Sequence, residues 1–113
     1  MNIEELAQIH KALSVPVRLK ILELVGERSL CVNAITRCLA ISQPAVSQHL
    51  AVLKRAGLVS STKNGYMVHY TLERERLQDF RRAMDLFPEE LSPEQLREGN
   101  GKLQEQTRTT REK

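Results

Sequence analysis

Aromatic side chains are nearly missing from this sequence of 113 residues, which has two Tyr, two Phe and no Trp. A core short of aromatics must be filled by Leu, Ile, Val and Ala, which suits helices packed on helices. No apolar run approaches the ~20 residues that a membrane span requires. Only two cysteines are present, Cys31 and Cys38. The start, Met1-Asn2-Ile3-Glu4-Glu5, is acidic and amphipathic, unlike a secretory signal. Two cysteines without an export signal point to a reducing cytoplasm rather than to a disulfide framework. Carboxylates are absent from Arg28 through Leu72. Paired carboxylates, a Ser/His/Asp set, a phosphate loop and a metal cluster are all lacking, which argues against an enzyme.

What is present indicates one small domain. Hydrophobic residues make up 41% of the chain and charged residues 27%, an ordinary balance for a globular protein. Residues 1–87 carry twelve Lys and Arg against eight Asp and Glu, whereas residues 88–113 carry five against six. The first part is therefore basic, and it is where periodic apolar residues lie. We expect a folded domain over 1–87 and a polar tail over 88–113. Leu91 and Leu96 could pack one short helical turn, with disorder beyond Gly99, where little apolar surface offsets chain entropy.

Helical spacing of Ile3, Leu6, Ala7, His10 and Leu13 predicts a first helix over 2–14. Pro16 suits the first turn of a second helix, lined by Val17, Ile21, Leu22, Leu24 and Val25 and ended by Gly26. Ser29 can cap a third helix over 30–39, with Leu30, Ile35 and Leu39 inward. After a turn at Ala40-Ile41, Ser42 starts a fourth helix that Gly57 closes. A strand over 58–62, an Asn64-Gly65 turn of type I′ and a returning strand over 66–72 make a hairpin, with Tyr66, Val68, Tyr70 and Leu72 on one face. A last helix over 73–87 carries the stripe Leu77, Phe80, Met84, Phe87.

The third and fourth helices joined by a short turn have the form of a helix-turn-helix, whose second helix enters the DNA major groove. With Val46 facing the core, Leu50 and Leu53 also stay inside at 100° per residue. Pro44, Gln48, Ala51 and Arg55 then point outward, flanked by Gln43, Ser47 and Lys54. Gln and Ser can donate to and accept from base edges. Lys54 and Arg55, at the helix end, suit phosphates. Arg28, Arg37, Lys54, Arg55 and Lys63, in a stretch of 45 residues without a carboxylate, make one face electropositive.

The stretch Leu13–Leu72 resembles the ArsR/SmtB family of winged helix-turn-helix repressors. The resemblance rests on Pro16-Val17-Arg18-Leu19-Lys20-Ile21-Leu22, on Leu30-Cys31-Val32, and above all on Ile41-Ser42-Gln43-Pro44-Ala45-Val46-Ser47-Gln48-His49-Leu50. Leu53-Lys54-Arg55-Ala56-Gly57-Leu58-Val59 and Tyr70-Thr71-Leu72 complete it. It implies a mainly α, winged helix-turn-helix fold and a homodimer built by the first and last helices. It implies a double-stranded DNA operator as partner and release by an inducer. The expected DNA-binding residues are Ser42, Gln43, Pro44, Ser47, Gln48, His49, Lys54 and Arg55, with Lys63 and Asn64 on the wing. The expected dimer interface holds Ile3, Leu6, His10, Phe80, Met84 and Phe87.

The family's metal sites do not carry over, and no metal or cofactor is expected. The Cys-Val-Cys core of its arsenic-type site is here Cys31-Val32-Asn33. Its zinc-type Asp-x-His is here Asp79-Phe80-Arg81, and no His follows His69. On one continuous helix Cys31 and Cys38 would stand ~10.5 Å apart along the axis, too far for a disulfide or a shared zinc. Cys31 has two readings. It is a small buried hydrophobe, or a thiol sensor whose thiolate is favoured by the unpaired N–H groups of a helix start, responding to a thiol-reactive or metalloid inducer. Cys38 has the same two readings. His10 reads as packed or interfacial, His49 as reaching a phosphate or packing beneath the wing, and His69 as exposed. The competing function is a winged-helix module that binds protein. It would call for an acidic or apolar face where Gln43, Ser47, Gln48 and Arg55 stand.

Overall fold

The computed structural model of the chain describes residues 1–88. The expectations for Leu91, Leu96 and the tail beyond Gly99 lie outside the described residues. Contacts divide the chain into one compact unit, Met1–Ala83, and a second that begins at Met84. The elements run α1 (Ile3–Leu13), α2 (Pro16–Glu27), β1 (Leu30–Cys31), α3 (Val32–Leu39), α4 (Gln43–Arg55), β2 (Val59–Asn64), β3 (Met67–Leu72) and α5 (Arg74–Leu86). The fold is a winged helix-turn-helix with the expected order of helices and hairpin, plus one short strand ahead of α3.

Local chemistry explains most helix ends. Asn2 Oδ1 accepts from the Glu5 N–H at 2.7 Å, and the Glu5 carboxylate reaches back to the Asn2 N–H, so two orphan donors of α1 are satisfied. Pro16 opens α2, where its missing N–H is no loss. The helix continues through Gly26 to Glu27 rather than ending at the glycine. At the end of α4, Gly57 takes φ +78°, its N–H donates to Lys54 O, and the Leu58 N–H donates to Leu53 O. These bonds close the helix with a Schellman motif, which glycine enters without a Cβ penalty.

The core is aliphatic. Ile9, Ile21, Ile35, Val46, Leu50, Leu53 and Leu58 are completely buried. Burial of each such side chain contributes about 1.5–3 kcal/mol. The first helix turns inward an edge that includes Ile9 and Ala12, which the sequence pattern did not single out. Leu6, Ile9 and Ala12 are buried, while Ile3, Ala7 and His10 face solvent. Both edges are apolar, and contact with α2 selects one of them.

The start of α3 differs from the expectation. Leu30 and Cys31 are not helical; they pair antiparallel with β3, Leu30 opposite Tyr70 and Cys31 opposite His69. Ser29 does not cap the helix, because its hydroxyl shares a 2.6 Å hydrogen bond with that of Thr71. Cys31 is the N-cap instead, without a side-chain bond. A two-residue strand has no periodicity of its own, so only its partner 38 to 40 positions away defines it.

The sheet order is β1–β3–β2, all antiparallel. The hairpin register pairs Asn64 with Met67, so the two turn residues are Gly65 and Tyr66, one step later than the expected Asn64-Gly65. Gly65 has φ +66° and Tyr66 has no positive φ. Positive φ at the first central position alone is the type II′ arrangement, not type I′. Tyr66 accordingly leaves the strand face and stands fully exposed at the wing tip.

Candidate nucleic-acid interface

The connection between α3 and α4 is made by two features. Ala40 ends α3 in the left-handed conformation, φ 55° and ψ 37°, with its N–H donating to Thr36 O at 3.1 Å. Ser42 then caps α4, its Oγ accepting from the Ala45 N–H at 3.3 Å. Pro44 occupies the first turn. The reversal at Ala40 lays α4 across α3.

Val46, Leu50 and Leu53 anchor α4 on its inner face, all completely buried. A helix fixed on one side by three buried aliphatics must present the other side. Gln43, Pro44, Ser47, Gln48, Ala51, Lys54 and Arg55 are all exposed, as is the capping Ser42. These side chains offer amide and hydroxyl donors and acceptors in the middle of the helix and cations at its end. No carboxylate lies between Arg28 and Leu72 to oppose a polyanion.

The wing stands beside this helix. Lys54 Nζ donates to Ser61 Oγ of β2 at 2.7 Å, which ties the end of α4 to the wing. Lys63 and Asn64 are exposed at the end of β2. Tyr66 at the tip was missed from sequence, because the expected turn placed it inside a strand.

His49 is half-buried and turned away from the exposed face of α4. Its Nδ1 accepts from Arg18 Nε at 3.2 Å, so it packs toward α2 rather than beneath the wing. Arg18, missed from sequence, also donates from Nη1 to the carbonyls of Lys11 and Ala12 at the end of α1.

His69 is half-buried, not exposed, because β1 lies against its strand. Cys31 and Cys38 are free thiols; Cys31 is half-buried and Cys38 is exposed rather than buried. Cys31 lines an open cleft of about 210 Å³ with Asn33, Gln43, Tyr66, Met67 and Val68. The thiol thus shares a cavity with the first residue of α4 and the inner edge of the wing. Among the described residues no group of three His, Cys, Asp or Glu side chains is placed to hold a metal ion, and no helix is long and apolar enough to cross a membrane.

Of the residues expected at a dimer interface, Leu6 and Phe80 are already buried within the chain. His10 is exposed on the outer edge of α1 and packs edge-on against the Phe80 ring, with centroids 5.0 Å apart. Ile3 is 54% exposed. In the second unit Met84 is half-buried and Phe87 is exposed.

Known proteins share this arrangement. The profile of the bacterial regulatory proteins of the arsR family matches residues 15–61, which include α2, both helices of the helix-turn-helix and the start of β2. The chain is 39% identical over 83 residues to an HTH-type transcriptional regulator of Methanocaldococcus jannaschii, covering 73% of this chain and 93% of that protein. It is 36% identical over 86 residues to the arsenical resistance operon repressor of Staphylococcus xylosus, covering 76% and 83%. The homodimeric winged helix-turn-helix DNA-binding domain from Mycobacterium bovis, solved by NMR, superimposes with a TM-score of 0.65 at 26% identity, over 74% of this chain and 79% of that one.

Proposed function

Since this chain belongs to the arsR family of bacterial regulatory proteins, DNA-binding regulators of transcription, we propose that it is a repressor that binds a palindromic operator as a homodimer and leaves it when an inducer reacts with Cys31. The observation that carries this reading is the division of α4. Val46, Leu50 and Leu53 are completely buried on one side, while Gln43, Ser47, Gln48, Lys54 and Arg55, with no carboxylate among them, are exposed on the other. Ser47 and Gln48 would face base edges in the major groove, with Gln43 and Ser42 at the groove wall. Arg55, Lys63 and Asn64 would meet the sugar-phosphate backbone, and the wing would flank the groove.

The exposed edge of α1, Ile3, Ala7 and His10, supports the homodimer, as does the homodimeric state of the M. bovis domain. A homodimer that holds two copies of α4 about 34 Å apart would match half-sites one helical turn apart.

The inducer reading rests on the cleft that Cys31 shares with Gln43. A metalloid or oxidant bound to the thiol would crowd the start of α4 and the wing strand together. The arsenical resistance repressor of S. xylosus is a relative of this chain, and trivalent arsenic can form an S–As bond with a thiolate as hydroxide leaves. The test is fluorescence anisotropy of the reduced protein on its own upstream DNA, with arsenite or a thiol oxidant added to the complex. Release that disappears in Cys31→Ser supports a thiol-controlled repressor. Tight binding that ignores both reagents removes the cysteine from the reading, and absence of specific binding removes the repressor.

A further inference from the structure

The face of α4 opposite the wing opens onto a second cleft, of about 260 Å³, lined by Gln8, Lys11, Ala12, Arg18, Val52 and Arg55. Three of these six residues are cations, and none is a carboxylate. Among the described residues, the ion pairs are Arg76 with Glu5 and Arg82 with Asp79. Lys11, Arg18 and Arg55 therefore bring three positive charges to one concavity without a neutralising partner there.

The cleft is also built, rather than a chance gathering of long side chains. Arg18 is held from three sides, by the carbonyls of Lys11 and Ala12 and by His49 Nδ1. Gln8 Nε2 donates to the Arg55 carbonyl at 3.4 Å, joining α1 to the end of α4. The guanidinium of Arg18 is thus fixed before any ligand arrives, so little of its rotamer freedom remains to be lost.

Its position follows from helix geometry. Counting from the buried Val46 at 100° per residue, Arg55 and Gln48 lie about 180° and 200° round, on the outer face. Lys54 lies about 80° round, on the side tied to the wing, while Val52 and His49 lie about 240° and 300° round, on the side of the cleft. The wing and the basic cleft therefore flank the exposed face of α4 on opposite sides. A helix in a major groove about 12 Å wide has a phosphate strand on each side.

We propose that this cleft seats a backbone phosphate of DNA, on the strand opposite the one the wing follows, with Lys11, Arg18 and Arg55 around the oxyanion. The proposal rests on the DNA-binding reading above and extends the contact surface to α1 and α2. Arg18 would serve as a fixed guanidinium donor and Lys11 as a mobile charge at the rim.

The clean variant is Lys11→Gln, since the Lys11 side chain is exposed and only its carbonyl bonds to Arg18. Binding is followed by anisotropy on the chain's own upstream DNA and on an unrelated duplex, from about 50 to 300 mM salt. The variant is expected to lose affinity by a similar factor on both duplexes, with the slope of log K against log salt smaller by about 0.9. Lys11→Arg should restore the slope. An unchanged slope in Lys11→Gln, with wild-type binding to the upstream DNA intact, overturns the proposal while leaving the repressor reading standing. A wild-type protein that binds neither duplex overturns both. Inorganic phosphate is tested separately, by melting temperature at constant ionic strength. If it stabilises wild type but not Lys11→Gln, while the DNA slope is unchanged, the occupant is a free oxyanion and the DNA assignment is overturned.

Discussion

Arg76 on α5 places Nη1 2.9 Å from Glu5 Oε2 on α1, an ion pair between residues 71 positions apart. The same guanidinium donates from Nε to the carbonyl of Ala56, the residue that ends α4. One side chain thus fastens the end of α4 to both the first and the last helix. The Arg76 hydrogen bond, reinforced by the Asn2 N–H, holds the Glu5 carboxyl below the usual carboxylate range. A lowered pKa in the fold means stability that is present above the ordinary carboxylate pKa and is lost as pH falls through the lowered one. Glu5→Gln should therefore have a lower urea midpoint than wild type at neutral pH. The gap should close as the solution is acidified below the carboxylate range. Both groups are partly solvated, so the effect will be modest and weaker at high salt. Midpoints that differ equally at every pH would show that the charge is not involved.

Gln48 is exposed at the centre of the outer face of α4. Gln48→Ala should reduce discrimination between the operator and single-base variants by about 1–3 kcal/mol per affected contact, with little loss on unrelated DNA. Competition binding across a set of substituted operators measures this. Equal weakening on all sequences would show that Gln48 touches phosphate rather than a base.

Two substitutions at left-handed positions should act in opposite directions. Ala40, at φ 55°, bears a cost of about 1–2 kcal/mol that a side chain imposes in this region. Ala40→Gly should raise stability by about 0.5–1 kcal/mol, since the relief exceeds the extra chain entropy of glycine. Gly57→Ala should lower it by about 1–2 kcal/mol, because the new Cβ has the same conformational cost and would stand 3.0 Å from Arg76 Nε. Denaturant unfolding of both variants checks the signs.

Ile3 is a large apolar residue of α1, 54% exposed. Ile3→Asp should leave the fold intact, judged by circular dichroism, and shift sedimentation from dimer toward monomer. Operator affinity should fall with it, since one half-site then binds alone. A variant that remains dimeric at wild-type concentrations would move the interface away from Ile3.

Helix α4 was legible because every signal for it is local. Ser42 as cap, Pro44 in the first turn, the spacing of Val46, Leu50 and Leu53, and Gly57 as stop all act within one segment. The same holds for the polar face, since burying one side of a helix places the other. The start of α3 was not legible. Leu30 and Cys31 suit a helix or a strand, and pairing with Tyr70 and His69 decides between them. The turn was displaced by one residue for a related reason. Asn64-Gly65 suits a type I′ turn locally, but the hairpin register pairs Asn64 with Met67 and leaves Gly65-Tyr66 to turn.

Sequence alone determined the order of the helices, the Ser42 cap and Gly57 stop of α4, the carboxylate-free stretch and the face that α4 turns outward. Each depends on interactions between residues a few positions apart. Only the tertiary structure decided which apolar edge of α1 is core, that Cys31 lies across from His69 and in a cleft with Gln43, and that Lys11, Arg18 and Arg55 converge. Those relations join residues tens of positions apart. Local propensity does not encode them, because their energy appears only when separate elements dock.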